Sequence, residues 1–203
     1  MIYFILRIIF CTFFKVLFRA DIRGMENLPK EGAAIVAANH MSNWDPPLLA
    51  CFLPRPIGYM AKEELFENPI FGGIIRRAHA FPVKRGAADR GAIKAAVQVL
   101  KTGHCLGLFP EGTRSRTGKM KKAEAGVGLI AAMTGAPVVP AAIIGTDRIF
   151  ANGGHFPKLR VIYGKPLHFQ GDRKDKEQLA AFSQSIMDEI GRMKNVHEKK
   201  QDS

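Results

Sequence analysis

The sequence predicts a single α/β domain with a mixed, largely parallel sheet flanked by helices, preceded by a short amphipathic helix. Three observations lead there. Short apolar runs alternate with longer stretches of helical character; the runs are continuously apolar rather than alternating with polar residues; and most are bounded by Gly, Pro or Asn. Continuous apolarity fits strands covered on both faces, the condition of a mostly parallel sheet. The predicted strands are residues 33–38, 57–61, 80–83, 105–109, 138–144 and 159–163, and the predicted helices 46–52, 68–77, 87–101, 123–134 and 174 to about 194. Pro82 and Pro140 fall inside strand runs, which predicts edge positions, strand ends or bulges there.

The first twenty residues are the compositional outlier. MIYFILRIIFCTFFKVLFRA is apolar apart from Arg7, Thr12, Lys15 and Arg19, and at helical periodicity these four fall within roughly 140° of one another. A basic stripe beside a broad Phe/Ile/Leu face suits a helix lying in the headgroup region of a bilayer. The competing expectation is a helix packed on the domain core. A membrane span is disfavoured because Arg7 would lie mid-bilayer. A cleaved leader is disfavoured too, because the charges lie within and after the apolar run. The expected organisation is a membrane-associating helix over 1–20, one domain over 21–195 and a polar tail over 196–203 that frays.

With 203 residues and 47% hydrophobic content, the chain can bury one good-sized core and is short for two. Its formal charge of +12 attracts something anionic, whether phospholipid, phosphorylated substrate or nucleic acid. No nucleic-acid motif and no basic groove with clustered aromatics is evident, so nucleic acid is not expected. Cys11, Cys51 and Cys105 have no close-paired spacing; neither a disulfide framework nor a metal site is expected, and all three read as small hydrophobes. Gly-rich phosphate loops are absent, so no nucleotide cofactor is expected.

Chemistry concentrates in two segments. Asn39-His40-Met41-Ser42-Asn43-Trp44-Asp45 stands where the first predicted strand ends. His40 and Asp45 would not share a helix face, so they meet only if Ser42 and Asn43 turn the chain. Asp45 could then accept the Nδ1 proton of His40 and leave Nε2 to take a proton from an alcohol, which is general-base chemistry without a serine. The alternative is that Asp45 only starts the helix at Pro46 and His40 is a loop histidine. The second segment, Phe109-Pro110-Glu111-Gly112-Thr113-Arg114-Ser115-Arg116, follows another strand. It gathers an acid, hydroxyls and two guanidiniums where α/β sheets place ligands, and could grip a polyol phosphate. Its alternative is a solvated surface turn.

These two segments resemble the first and third signature blocks of the glycerolipid acyltransferase family. Residues 80–85, AFPVKR, resemble the second block, and residues 138–143, VVPAAI, the fourth; all four stand in family order over 39–143. The second block often begins with Gly, where this chain has Ala78-His79, and His79 reads as structural. The resemblance implies a glycerol-3-phosphate acyltransferase-like fold and transfer of a fatty acyl group from acyl carrier protein or coenzyme A to the sn-2 hydroxyl of lysophosphatidic acid. It implies His40 as base and Asp45 as its orienting partner. It implies Arg85, with Lys62, at the acceptor phosphate, and Glu111, Gly112, Thr113 and Arg114 at the glycerol backbone. It also implies a peripheral or monotopic position on the cytoplasmic face of the cell membrane. Open beside it are the same transfer to glycerol 3-phosphate, a lysophospholipid or an acylated amino acid; hydrolysis, with water replacing the alcohol; and a non-catalytic basic membrane-binding module.

Overall fold

The computed structural model describes residues 2–83, 90–115, 119–150 and 156–198. In chain order the elements are α1 (Ile2–Phe18), β1 (Asp21–Arg23), β2 (Ala34–Ala38), α2 (Asp45–Phe52), β3 (Ile57–Lys62), α3 (Pro69–Arg77), β4 (Ala80–Val83), α4 (Arg90–Lys101), β5 (Cys105–Leu108), α5 (Gly126–Thr134), β6 (Val138–Ile144), β7 (Arg160–Tyr163) and α6 (Lys176–Glu198). The expected alternation is present. One strand was not foreseen, the three-residue β1, which pairs with β7.

The strands form one seven-stranded sheet in the order β1-β7-β6-β2-β5-β3-β4. All neighbours are parallel except β6 and β7. Strands β3, β4 and β5 therefore lie on one side of β2, and β6, β7 and β1 on the other. Open α/β sheets bind ligands beyond the carboxyl ends of strands where the order reverses in this way. Pro82 sits on the edge strand β4. Pro140 lies on an interior strand, but β6–β7 pairing starts at Ala141, and the Pro140 carbonyl accepts the Gly164 N–H just past β7. The missing donor thus falls where that ladder stops.

Both faces of the sheet are covered, as continuous apolarity requires. Helices α1 and α2 pack on one face over Val36, Ala38, Val139, Ala141 and Tyr163. Helices α4, α5 and α6 pack on the other over Ile35, Ala37, Leu106, Leu108 and Ile144. Helix α6 continues through residues 196–198, where the tail was expected to fray. Its last turn is held by a Lys194–Glu198 ion pair at 3.1 Å and by the Arg160 guanidinium, which donates to the His197 carbonyl.

Helix α1 packs one face on the domain core, which was the competing expectation for it, and leaves the other face exposed. Phe14 and Phe18 are fully buried in the core that α2 shares, each worth roughly 1.5–3 kcal/mol of transfer free energy. Arg7 belongs to this inner face and not to an exposed stripe. Its Nε donates to the Cys51 carbonyl at 3.0 Å and a terminal nitrogen to the Leu53 carbonyl at 2.5 Å, so it satisfies carbonyls at the end of α2. The outer face exposes Phe4, Ile5, Ile8, Ile9 and Val16, together with Thr12 and Lys15. Among the described residues no helix is long and apolar enough to cross a membrane.

Candidate active site

The site is assembled from the carboxyl ends of parallel strands. His40 follows β2, the 109–115 loop follows β5, Lys62 ends β3 opposite Val83 of β4, and Asp147 follows β6. Asn39, fully buried, fixes the exit from β2: its side-chain amide donates to the Ile143 carbonyl at 2.9 Å and accepts from the Ile143 N–H at 2.8 Å. The last residue before His40 is thereby clamped to β6.

The turn between His40 and Asp45 brings the pair together. His40 Nδ1 lies 2.8 Å from Asp45 Oδ2, with the carboxylate fully buried. The same Oδ2 accepts the N–H groups of Met41 at 2.7 Å and Ser42 at 2.8 Å. Asp45 is the first residue of α2, followed by Pro46 and Pro47, yet its side chain turns back into the preceding loop. A simple helix cap would point the other way. An ionised carboxylate only accepts, so Nδ1 carries the proton and Nε2 is left as the acceptor.

The second loop closes over this pair. Phe109 stacks on the His40 ring, centroids 4.0 Å apart and planes 19° from parallel, and Tyr59 stacks in turn on Phe109. Gly107 makes room, because a Cβ there would lie 2.2 Å from the Tyr59 ring. The Ser115 N–H donates to the His40 carbonyl at 2.8 Å. Glu111 is buried, and its two carboxylate oxygens accept the backbone N–H groups of His40 at 2.9 Å and Lys121 at 3.0 Å. Gly112 takes a positive φ of 67°, and a Cβ there would lie 2.8 Å from Glu124 Oε1. Thr113 is exposed and its hydroxyl accepts from Lys121 Nζ at 2.8 Å.

Beside the dyad opens a cleft of about 430 Å³, lined by the 41–44 turn, Arg114, Ser115 and Asp147. Of the residues expected at the site, the structure brings together His40, Asp45, Glu111, Gly112, Thr113 and Arg114, with Lys62 on the same edge of the sheet. Arg85 and Arg116 lie outside the described residues. His79 stands apart from the dyad, its ring against Tyr3, and burial, followed by nearby His104, holds it below the usual imidazole range. Sequence reasoning did not single out the Phe109–Tyr59 stack, the Asn39 clamp or Asp147. Only the first left a signal, a glycine inside an apolar strand, which often marks close approach. Among the described residues no group of three or more His, Cys, Asp and Glu could hold a metal ion.

A buried, carboxylate-oriented histidine beside a cleft with hydroxyl and guanidinium groups has the chemistry to activate an alcohol. A family model described as Acyltransferase matches residues 19–144. A 1-acyl-sn-glycerol-3-phosphate acyltransferase of Bacillus subtilis is 37% identical over 177 residues, covering 84% of this chain and 85% of that protein. A chloroplast protein of the same name from Arabidopsis thaliana is 32% identical over 74% of this chain and 44% of its own length. The crystal structure of the 1-acyl-sn-glycerophosphate (LPA) acyltransferase PlsC from Thermotoga maritima superimposes with a TM-score of 0.79 at 28% identity, covering 97% of this chain and 79% of that one. The chain belongs to the acyltransferase family.

Proposed function

We propose that this protein transfers a fatty acyl group from a thioester donor, carried by acyl carrier protein or coenzyme A, to the sn-2 hydroxyl of 1-acyl-sn-glycerol 3-phosphate, giving phosphatidic acid. The observation that carries the reading is the His40–Asp45 pair at 2.8 Å, which leaves Nε2 as a proton acceptor in a chain related to lysophosphatidic acid acyltransferases. Nε2 takes the hydroxyl proton as the oxygen attacks the thioester carbonyl. The tetrahedral intermediate collapses, the carbon–sulfur bond breaks, and Nε2 returns the proton to the leaving thiolate. Asp45 keeps Nδ1 protonated throughout and stabilises the transient imidazolium. Backbone amides stabilise the oxyanion.

Arg114, Arg85 and Lys62 supply positive charge for the acceptor phosphate, with Thr113 and the Gly112 backbone against the glycerol. Glu111 serves from behind, through the backbone of His40. The enzyme works as a peripheral or monotopic protein on the cytoplasmic face of the cell membrane, its contact being the outer face of α1. Phe4, Ile5, Ile8 and Ile9 enter the acyl layer and Lys15 meets anionic headgroups. Ile70, Phe71 and Ile74 of α3 expose a second apolar patch, and the Tyr3–His79 ring contact brings the start of α1 to the end of α3.

The test is transfer of a radiolabelled acyl chain to a panel of lysophosphatidic acid, glycerol 3-phosphate, lysophosphatidylcholine, an acylated amino acid and water. The expected result is label in phosphatidic acid. Label in another acylated acceptor would reassign the substrate, and release of free fatty acid alone would make the protein a hydrolase.

A further inference from the structure

The sheet face opposite α1 carries a feature that the transfer chemistry leaves unused. Where residues 119–122 pass the C-terminal half of α6, a groove of about 600 Å³ is lined by Lys119, Lys121, Lys122, Arg192 and Lys194, with Met120 among them. Lys119, Lys122 and Arg192 are exposed. Arg192 is paired with Glu189 and Lys194 with Glu198, and Asp188 also lines the groove, but the cations remain in excess.

The groove is wired to the catalytic loop. The Lys121 N–H donates to one oxygen of Glu111, whose other oxygen holds the His40 N–H. Lys121 Nζ reaches Thr113 at 2.8 Å. One wall of the groove is therefore also the outer wall of the loop that carries the candidate glycerol contacts.

We propose that this groove docks an acidic carrier protein that presents the acyl thioester on a phosphopantetheine arm; the proposal rests on the acyltransferase reading and names the donor's landing surface. The exposed cations Lys119, Lys122 and Arg192 suit a carboxylate-bearing protein face, and such charge complementarity steers encounter. The groove's place fits a soluble donor, because α1 covers the other face of the sheet and its outer surface is the one suited to lipid. Acceptor and carrier then reach the dyad from different sides. An adenine nucleotide fits the groove less well. None of the described residues lining it is aromatic, and its helical wall is the C-terminal half of α6, where the helix dipole disfavours phosphate.

The experiment uses the full chain, with Lys119→Glu/Lys122→Glu as one variant and Arg192→Glu as a second, each checked for unchanged circular dichroism. Transfer to lysophosphatidic acid is measured with the same acyl chain on carrier protein and on coenzyme A, alongside co-sedimentation with anionic vesicles. Expected is a rise of about tenfold in KM for the acyl carrier protein in either variant, with kcat, the KM for the coenzyme A thioester and vesicle binding each held to about twofold. The wild-type KM for the carrier should also climb with ionic strength. Equal shifts for both donors, no shift for either, or loss of vesicle binding instead would overturn the docking surface. Transfer from coenzyme A with none from the carrier would overturn it too and leave the acyltransferase reading standing. No transfer from either donor to any acceptor would overturn both.

Discussion

Glu111 holds His40 by its backbone: one carboxylate oxygen accepts the His40 N–H at 2.9 Å while the other accepts the Lys121 N–H at 3.0 Å. Two loops from different strands are thus fixed by one buried side chain. Glu111→Ala leaves both amides without their partner, and losing the partner of a buried donor costs about 1–3 kcal/mol. The expected outcome is a lower melting temperature and a kcat that falls more than KM rises, because the base moves while the exposed contacts remain. Thermal melts and steady-state kinetics check this; a rise in KM alone would make Glu111 a substrate ligand.

Arg114 lines the cleft and is exposed. With Arg114→Ala, or with Arg85→Ala, the KM for lysophosphatidic acid should rise about tenfold to a hundredfold, since a charge-assisted hydrogen bond is worth about 1.5–3 kcal/mol. The KM for the thioester should hardly move. A shift confined to the donor would exchange the two subsites.

The two faces of α1 make opposite predictions. Arg7→Ala removes the donors to the Cys51 and Leu53 carbonyls and should lower the melting temperature while vesicle binding persists. Phe4→Ser with Ile8→Ser alters only exposed side chains and should weaken vesicle binding, by up to about 1.5–3 kcal/mol per residue, with little change in melting temperature. Melting curves and vesicle co-sedimentation of both variants decide it; the reverse pattern would put the membrane contact elsewhere.

Burial raises the Cys105 thiol to about 12, and desolvation also pushes Cys51 well above its ordinary value. The thiolate is the reactive form, so both should resist a thiol reagent at pH 8 in the folded protein and react fully in denaturant. Fast native labelling at Cys51 or Cys105 would show that this core opens.

Most of the fold was legible because most of the strands are largely apolar runs bounded by Gly, Pro or Asn. The exception, Asp21–Arg23, is three residues with no apolar pattern, and it becomes a strand only because β7 lies beside it. From residue types and spacing the His40–Asp45 pair was legible only as one of two readings, beside a simple helix start, and the family resemblance favoured it; the turn that joins the two residues is seen in the structure. The inward orientation of Arg7 was not legible, since periodicity groups residues on one stripe without saying which part of it faces the domain. The bonding of Glu111 was hidden for a similar reason: a glutamate in a charged loop reads as solvated until the Lys121 segment is seen to fold over it.

The most direct test of the account is the rate of phosphatidic acid formation by His40→Ala. Nε2 is assigned as the sole proton acceptor for the attacking hydroxyl, and losing a general base costs on the order of 10²–10⁴ in rate. The account predicts a fall of that size in kcat, with unchanged circular dichroism and unchanged vesicle binding. A folded His40→Ala protein that makes phosphatidic acid at a rate within about threefold of wild type, far short of a base-loss effect, would contradict it.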